Sequence, residues 1–153
     1  MLLQLNVKNL ATLASVDLKL TSGCIAVTGD TGAGKSLILD ALELALGARA
    51  DLGLVRAGTE RAQIIAEFDI ERLPQAKTWL SDNELDQDDE LVLRRTLSSE
   101  GRSKAYVNGT PISTSQLKEL SEQLVLMHTQ HANQKLLQPK YQLELLDLSL
   151  IHI

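Results

Sequence analysis

One segment of the sequence combines glycines, a lysine and a serine at a spacing that can hold phosphate groups. It fits G-x-x-x-x-G-K-S/T at every fixed position, and a chance match in a chain this long has a probability of roughly half a per cent. Glycines let backbone N–H groups converge on phosphate oxygens, the lysine neutralises the β- and γ-phosphates, and the serine hydroxyl ligates Mg²⁺. The predicted nucleotide-binding residues are Gly29, Asp30, Thr31, Gly32, Ala33, Gly34, Lys35 and Ser36.

The elements on either side of this segment are those that a phosphate-binding loop needs. The run 24–28 is almost continuously apolar, which predicts a strand buried on both faces. Apolar residues then recur at helical spacing over 35–46, and Gly47 supplies a stop. A strand, a turn and a helix in this order favour phosphate binding over the alternative, a glycine-rich turn that only joins a strand to a helix.

The remaining patterns predict further strands and helices around this unit. Alternating or apolar runs predict strands at 2–7, 14–20, 62–70, 90–96 and 104–107. Helical spacing predicts helices at 74–80, from Ser113 or Ser115 to about Glu122, and at 141–150. Asn108-Gly109 is typical of a tight hairpin turn.

Hydrolysis by a P-loop protein also needs an acid at the end of an apolar strand, where it holds the water shell of Mg²⁺. No run of four apolar residues in this sequence is followed by aspartate. Asp69 follows Glu67-Phe68, and Asp147 follows two leucines within a helical pattern. We therefore expect a phosphate-binding site that lacks its catalytic acid.

Composition bounds the class of protein. The 153 residues are 44% hydrophobic and 23% charged, which excludes a disordered or fibrous chain. The net charge of −5 argues against a nucleic-acid binder, but six of the acids lie within 82–90, and the rest of the chain has 15 bases against 14 acids. The single Cys24 excludes an intramolecular disulfide, and no apolar stretch approaches the ~20 residues that span a bilayer. We expect a cytoplasmic protein.

A second group of charged residues follows the acidic segment. Arg94, Arg95, Arg102 and Lys104 form a basic cluster around a predicted hairpin turn at 97–101. The cluster could contact DNA phosphates, or it could simply be the solvated face of the hairpin, and the residues alone leave both interpretations open.

Several separated segments match one known family in order. They are L-x-L-x-V-x-N-L-A at the N-terminus, T-G-D-T-G-A-G-K-S, L-G-A-R-A, V-R-A-G, L-R-R, G-R-S-K, V-N-G and M-H-T-Q-H. Together they resemble bacterial RecN, a family of ATPases in DNA double-strand-break repair that is related to the structural-maintenance-of-chromosomes (SMC) proteins. The similarity extends to about Asp147, whereas residues 149–153 depart from the family pattern.

The resemblance implies an α/β P-loop NTPase fold, the N-terminal half of a split ABC/SMC-type ATPase head with a mixed sheet and flanking helices. Residues 1–139 would form the lobe with the Walker A loop and the Q-loop, and 140–153 would begin a coiled-coil arm that is truncated here. Gln130 matches the Q-loop glutamine, which contacts Mg²⁺ as Ser36 does. Thr129 stands where the family usually has glycine, and Asp30 where it usually has glutamate.

The same resemblance implies the function and the partners. ATP and Mg²⁺ would be the cofactors. The partners would be DNA, bound by the full-length protein, the C-terminal half of the same head, and a second head in an ATP-sandwiched homodimer. The full-length protein would hydrolyse ATP in the bacterial cytoplasm, at the nucleoid, and this chain, which lacks the signature motif and the Walker B acids, would be inactive alone. The alternatives are the head of a RecF-type DNA repair ATPase and a small self-contained P-loop kinase.

Overall fold

The computed structural model describes residues 1–21, 23, 25–29, 34–51 and 53–125, and within them a sheet is packed against helices. The strands are β1 (Leu2–Leu10), β2 (Leu13–Lys19), β3 (Arg61–Asp69), β4 (Glu90–Ser98), β5 (Ser103–Val107) and β6 (Thr110–Ile112). The helices are α1 (Lys35–Ala45), α2 (Pro74–Asp82) and α3 (Thr114–Leu124). None of these helices is long and apolar enough to cross a membrane.

The strands form one sheet in the order β2-β1-β3-β4-β5-β6. Each neighbouring pair is antiparallel, and β3 and β4 pair over their full lengths, from Arg61 opposite Ser98 to Asp69 opposite Glu90. The family resemblance predicts a mixed sheet, so a parallel pair would have to involve residues outside these strands.

One face of the sheet is buried and the other is solvated. Burial alternates strictly along β3 and β4, as the two-residue period of a strand requires. Helix α1 lies on the buried face against β1, β3 and β4, while α3 contacts β5 and α2. The largest completely buried side chains of this layer include Phe68, Leu5, Leu10, Ile64, Leu91 and Leu93.

Two helix ends are set by local sequence. The side chain of Ser113 accepts a hydrogen bond from the backbone N–H of Gln116, and the Gln116 side chain accepts one from Ser113 N–H, so α3 begins with a capping box. Helix α1 ends at Ala45, and Gly47, the residue after its C-cap, has a φ of +97°. The N–H of Ala48 donates to the carbonyl of Glu43 at 2.9 Å, as in a Schellman motif.

Most predicted elements are confirmed within the described residues. All five strands predicted from alternating or apolar runs are present, with bounds that differ by at most three residues, as are the helices starting at Lys35, Pro74 and Thr114. Asn108 and Gly109 both have positive φ, 49° and 85°, as a type I′ hairpin turn requires. Strand β6 was not predicted, and the helix predicted at 141–150 lies outside the described residues.

The strand predicted at 24–28 is wrong for the part that the structure describes. Residues 25–28 belong to no strand, and the side chains of Ile25 and Val27 are 48% and 54% exposed. An apolar run indicates that a segment is suited to burial, but strand formation also needs partner strands to complete its hydrogen bonds. No described strand pairs with these residues.

Replacing Gly47 by alanine should destabilise the chain through a backbone collision at the end of α1. A Cβ built on Gly47 would lie 3.1 Å from the backbone nitrogen of Lys118, and the positive φ adds strain. We expect the free energy of unfolding, measured by urea denaturation, to fall by about 2–4 kcal/mol.

Gly58→Ala is the matched control, because Gly58 has a φ of +82° but nothing within 4 Å of the added Cβ. It should cost only about 1–2 kcal/mol, the backbone term alone. Equal losses of unfolding free energy in the two variants would show that the close approach of Gly47 to α3 contributes nothing to the destabilisation.

Candidate nucleotide-binding site

The described part of the predicted phosphate-binding loop consists of its first residue and its last three. Gly29 opens the loop, Gly34 is the N-cap of α1, and Lys35 and Ser36 are the first two residues of the helix. The Lys35 ammonium donates a hydrogen bond to the carbonyl of Gly29, so the side chain reaches back across the mouth of the loop. Asp30, Thr31, Gly32 and Ala33 lie outside the described residues.

The backbone conformation and the surroundings of Gly34 both disfavour a side chain at this position. Its φ is +86°, and an added Cβ would lie 3.3 Å from Cδ2 of Leu13. Leu13 begins β2 and pairs with Leu10 of β1, so the loop closes directly onto the first hairpin. Glycine at this position of the motif is therefore favoured both by the backbone conformation and by the close packing against Leu13.

The start of α1 is electrostatically suited to an anion. Its first turn contains no acidic residue, and Gly34 offers no side chain to cap it. The N-terminal N–H groups of a helix carry a partial positive charge, and an uncapped, acid-free first turn leaves that charge available to phosphate oxygens. Ser36 is exposed in the same turn, so its hydroxyl is accessible to a metal ion bound beside the phosphates.

The segment that follows α1 is hydrogen-bonded to the hairpin of β1 and β2, near Gly34. The Ala11 N–H donates to the carbonyl of Leu54 at 2.7 Å, and the Arg56 N–H donates to that of Asn9 at 2.9 Å. The Arg56 guanidinium also donates to the Thr12 carbonyl at 2.5 Å. Arg56 thus ties the segment that follows α1 to the hairpin on which Gly34 rests. Sequence reasoning gave it no role, because nothing in its spacing signals a contact with residue 12.

The only acid considered as a metal partner within the described residues is remote from the loop. Asp69 ends β3 beside Met1, whereas Gly34 packs near the opposite end of β1, at the Leu10–Leu13 hairpin. Nine residues of strand separate these ends, about 30 Å at 3.3 Å per residue. The Asp69 carboxylate instead accepts a hydrogen bond from Glu71 N–H. Asp69 is therefore a turn-forming residue in this structure.

The remaining predicted metal ligand cannot be placed. Gln130 lies outside the described residues, as does the Q-loop around it. Among the residues that the structure describes, no group of three or more histidine, cysteine or acidic side chains could hold a metal ion. Ser36 is thus the one described residue of the predicted Mg²⁺ site.

The basic cluster predicted from sequence is divided between the two faces of the sheet. Arg94, Arg102 and Lys104 lie on the solvated side, but Arg95 points into the core with 2% of its surface exposed. Its inclusion in a solvent-facing cluster was wrong, since successive side chains along a strand point to opposite faces. The predicted turn at 97–101 is confirmed by hydrogen bonds from Ser98 N–H to the Arg102 carbonyl and from Gly101 N–H to the Ser98 carbonyl.

Burial of the Arg95 guanidinium in the core is energetically unfavourable. Its Nε donates to Ser103 Oγ at 2.7 Å, but its Nη1 has no hydrogen-bond partner among the described residues. Burial lowers the pKa of the Arg95 guanidinium, because removal from water disfavours the charged form.

An Arg95→Met variant should keep or raise the stability of the chain. Methionine fills a similar volume without a buried charge, and the exposed Ser103 can bond to water instead. We expect the free energy of unfolding in urea to stay within about 1 kcal/mol or to rise. Arg95→Ala should lower it by about 2–4 kcal/mol through the cavity it leaves. A loss of 3 kcal/mol or more with methionine would contradict this account.

The fold is that of the N-terminal half of a head domain, and the sequence motif at its first helix is that of the P-loop class. The chain belongs to the AAA domain family, which matches residues 4–149.

Within that class, the chain is similar to the DNA repair protein RecN. It is 46% identical over 147 residues to RecN of Vibrio cholerae and 35% identical over 148 residues to RecN of Bacillus subtilis. Each match covers 96% of this chain and 26% of the relative. The chain therefore spans about a quarter of the length of the curated relatives it matches.

Solved structures confirm the fold class. One SMC ATPase chain, from a study of ATP-driven dimerization and DNA-stimulated activation, has a TM-score of 0.69 at 22% identity, covering 95% of this chain and 97% of that one. The SMC head domain from Thermotoga maritima has a TM-score of 0.59 at 20% identity, covering 77% of this chain and 41% of that one. At these identities the likeness establishes an SMC-type head fold and nothing about ligands.

Proposed function

We propose that this chain is the ATP-binding part of a RecN-type, SMC-like protein that acts in DNA double-strand-break repair and recombination. The observation that carries the proposal is the complete G-x-x-x-x-G-K-S sequence motif, whose described residues Gly34, Lys35 and Ser36 lie at the start of α1, where no side chain caps the helix, with Lys35 reaching back to the carbonyl of Gly29. The similarity to RecN along 96% of the chain supports this family over a RecF-type head, to which the likeness is one of fold at 20% identity.

The loop and the first turn of α1 supply the groups that bind ATP. The backbone N–H groups at the start of α1, with the positive end of its helix dipole, would hold the phosphates of ATP. Lys35 exchanges its contact with the Gly29 carbonyl for the β- and γ-phosphate oxygens. Ser36 and Gln130 would hold Mg²⁺, which would supply positive charge to stabilise the phosphates.

Hydrolysis requires residues beyond those described. Since Asp69 lies at the far end of β3, the acid that orients the Mg²⁺ water shell has to come from elsewhere in the protein. We infer that the C-terminal half of the same head supplies it, in agreement with relatives about four times as long as the matched segment.

The C-terminal half would also cover apolar surface near the loop. Ile25 and Val27 precede the loop, Leu39 lies in α1, and each is about half exposed. Exposed large apolar side chains are typical of a surface that another segment covers. ATP would then join two such heads, each loop closing on the opposite head, and hydrolysis would release them.

Lys35→Ala tests the phosphate-binding role directly. Removing the ammonium that neutralises the β- and γ-phosphates should weaken the affinity for Mg-ATP at least about tenfold, the value of one lost charge-assisted hydrogen bond. Isothermal titration calorimetry of this chain with Mg-ATP measures the change.

Lys19→Ala is the control. Lys19 is exposed on β2, and its replacement by alanine removes the same charge. It should leave ATP affinity unchanged. An unaltered affinity in Lys35→Ala, or an equal loss in both variants, would contradict the assignment of the loop.

A further inference from the structure

The part of the chain that the structure describes buries one charge without a counter-ion. Arg95 has 2% of its surface exposed, and the other buried polar residue in this part is Ser121, whose hydroxyl donates to the Leu117 carbonyl at 2.7 Å. No described acid is buried with them, and no described carboxylate pairs with Arg95. The positive charge of the guanidinium is therefore not neutralised by the described residues.

The hydrogen bonds of Arg95 are also incomplete. Its Nε donates to Ser103 Oγ at 2.7 Å, whereas the buried Nη1 has no partner among the described residues. Buried donors are paired in almost all proteins, and an unpaired donor destabilises the folded state. A backbone carbonyl would complete the hydrogen bond of Nη1, but only an anion would also neutralise the charge.

The guanidinium lies close to the surface at the start of β5. Ser103, Ala105 and Val107 follow one another along the buried side of β5, yet Ser103 is exposed while the other two are buried. The core layer is therefore open beside Ser103, and the Arg95 Nε is within hydrogen-bonding distance of that residue. A side chain from another segment can approach the guanidinium from this end of the layer.

We propose that Arg95 forms a buried ion pair with an aspartate or glutamate from the C-terminal half of the head. This inference rests on the proposed function, which expects such a half because the chain covers 26% of the RecN that it matches at 46% identity. A guanidinium binds a carboxylate through strong, charge-assisted hydrogen bonds, and arginine is the cation best suited to a buried pair. Since α1 packs against β4, the pair would hold the C-terminal half against the layer that positions Lys35.

The test compares variants of Arg95 in this chain and in the full-length protein that contains it. In this chain, Arg95→Met should melt no lower than the unchanged chain, and Arg95→Lys should melt lowest, because an ammonium is more strongly hydrated than a guanidinium. In the full-length protein the order should reverse to arginine, then lysine, then methionine, since methionine leaves the partner carboxylate buried and unpaired. Arg95→Met should there lower the Tm by about 5 °C or more in scanning calorimetry.

Arg61→Met is the matched control. Arg61 is exposed at the start of β3, so the variant removes the same charge without unpairing a buried group. It should leave the Tm of this chain and of the full-length protein unchanged.

Double-mutant cycles in the full-length protein identify the partner carboxylate. Each aspartate and glutamate of the C-terminal half is replaced by its amide, once with Arg95 present and once in the Arg95→Met background. One of these acids should lower the Tm when it is replaced beside Arg95, and its replacement should have little effect when residue 95 is already methionine.

Three results would overturn the ion pair. They are the same order of melting temperatures in both proteins, an unchanged Tm of the full-length protein with Arg95→Met, and the absence of coupling between Arg95 and every acid. A reversed order without coupling to any acid would indicate a backbone carbonyl as the partner and would refute the carboxylate. Titration of the same full-length samples with Mg-ATP separates these failures from that of the proposed function. If ATP affinity still depends on Lys35, only the ion pair is refuted; if it does not, the proposed function also fails.

Discussion

Burial of one face of the sheet beneath the helices is the interaction on which the candidate site depends. Helix α1 is only eleven residues long, and a helix of that length is marginal in water on its own. It is fixed instead by Ala41, Leu44 and Ala45, which are buried in the layer shared with β1, β3 and β4. Lys35 and Ser36 are therefore positioned by the core.

The same burial explains which parts of the fold were predictable from sequence. Strands β3 and β4 could be predicted because every second residue of each strand is buried, so apolar residues recur with a period of two. β6 has three residues, one of them Pro111, and is too short to show a period. Residues 25–28 have the composition of a buried strand, but whether a segment pairs depends on its partners, which composition does not report.

The site was predictable where its residues are adjacent in sequence and not where they are brought together by pairing. The motif alone predicts the positions of Gly34, Lys35 and Ser36, because the start of a helix fixes where adjacent residues lie. Arg56 was missed because its hydrogen bond to the Thr12 carbonyl joins residues that are 44 positions apart in the sequence. The misplacement of Arg95 was avoidable: it has the same parity as Leu93 and Leu97, which marks it as a core position.

The pleat of β4 directs two consecutive arginines to opposite surfaces of the sheet. Arg94 faces the solvent with Tyr106, whereas Arg95 faces the layer that contains α1. In the proposed function ATP would bind at the start of α1, on the buried side of the sheet. The cations on the solvated side therefore do not contribute to that site, and the Lys35 ammonium does not add to the charge of the solvated side.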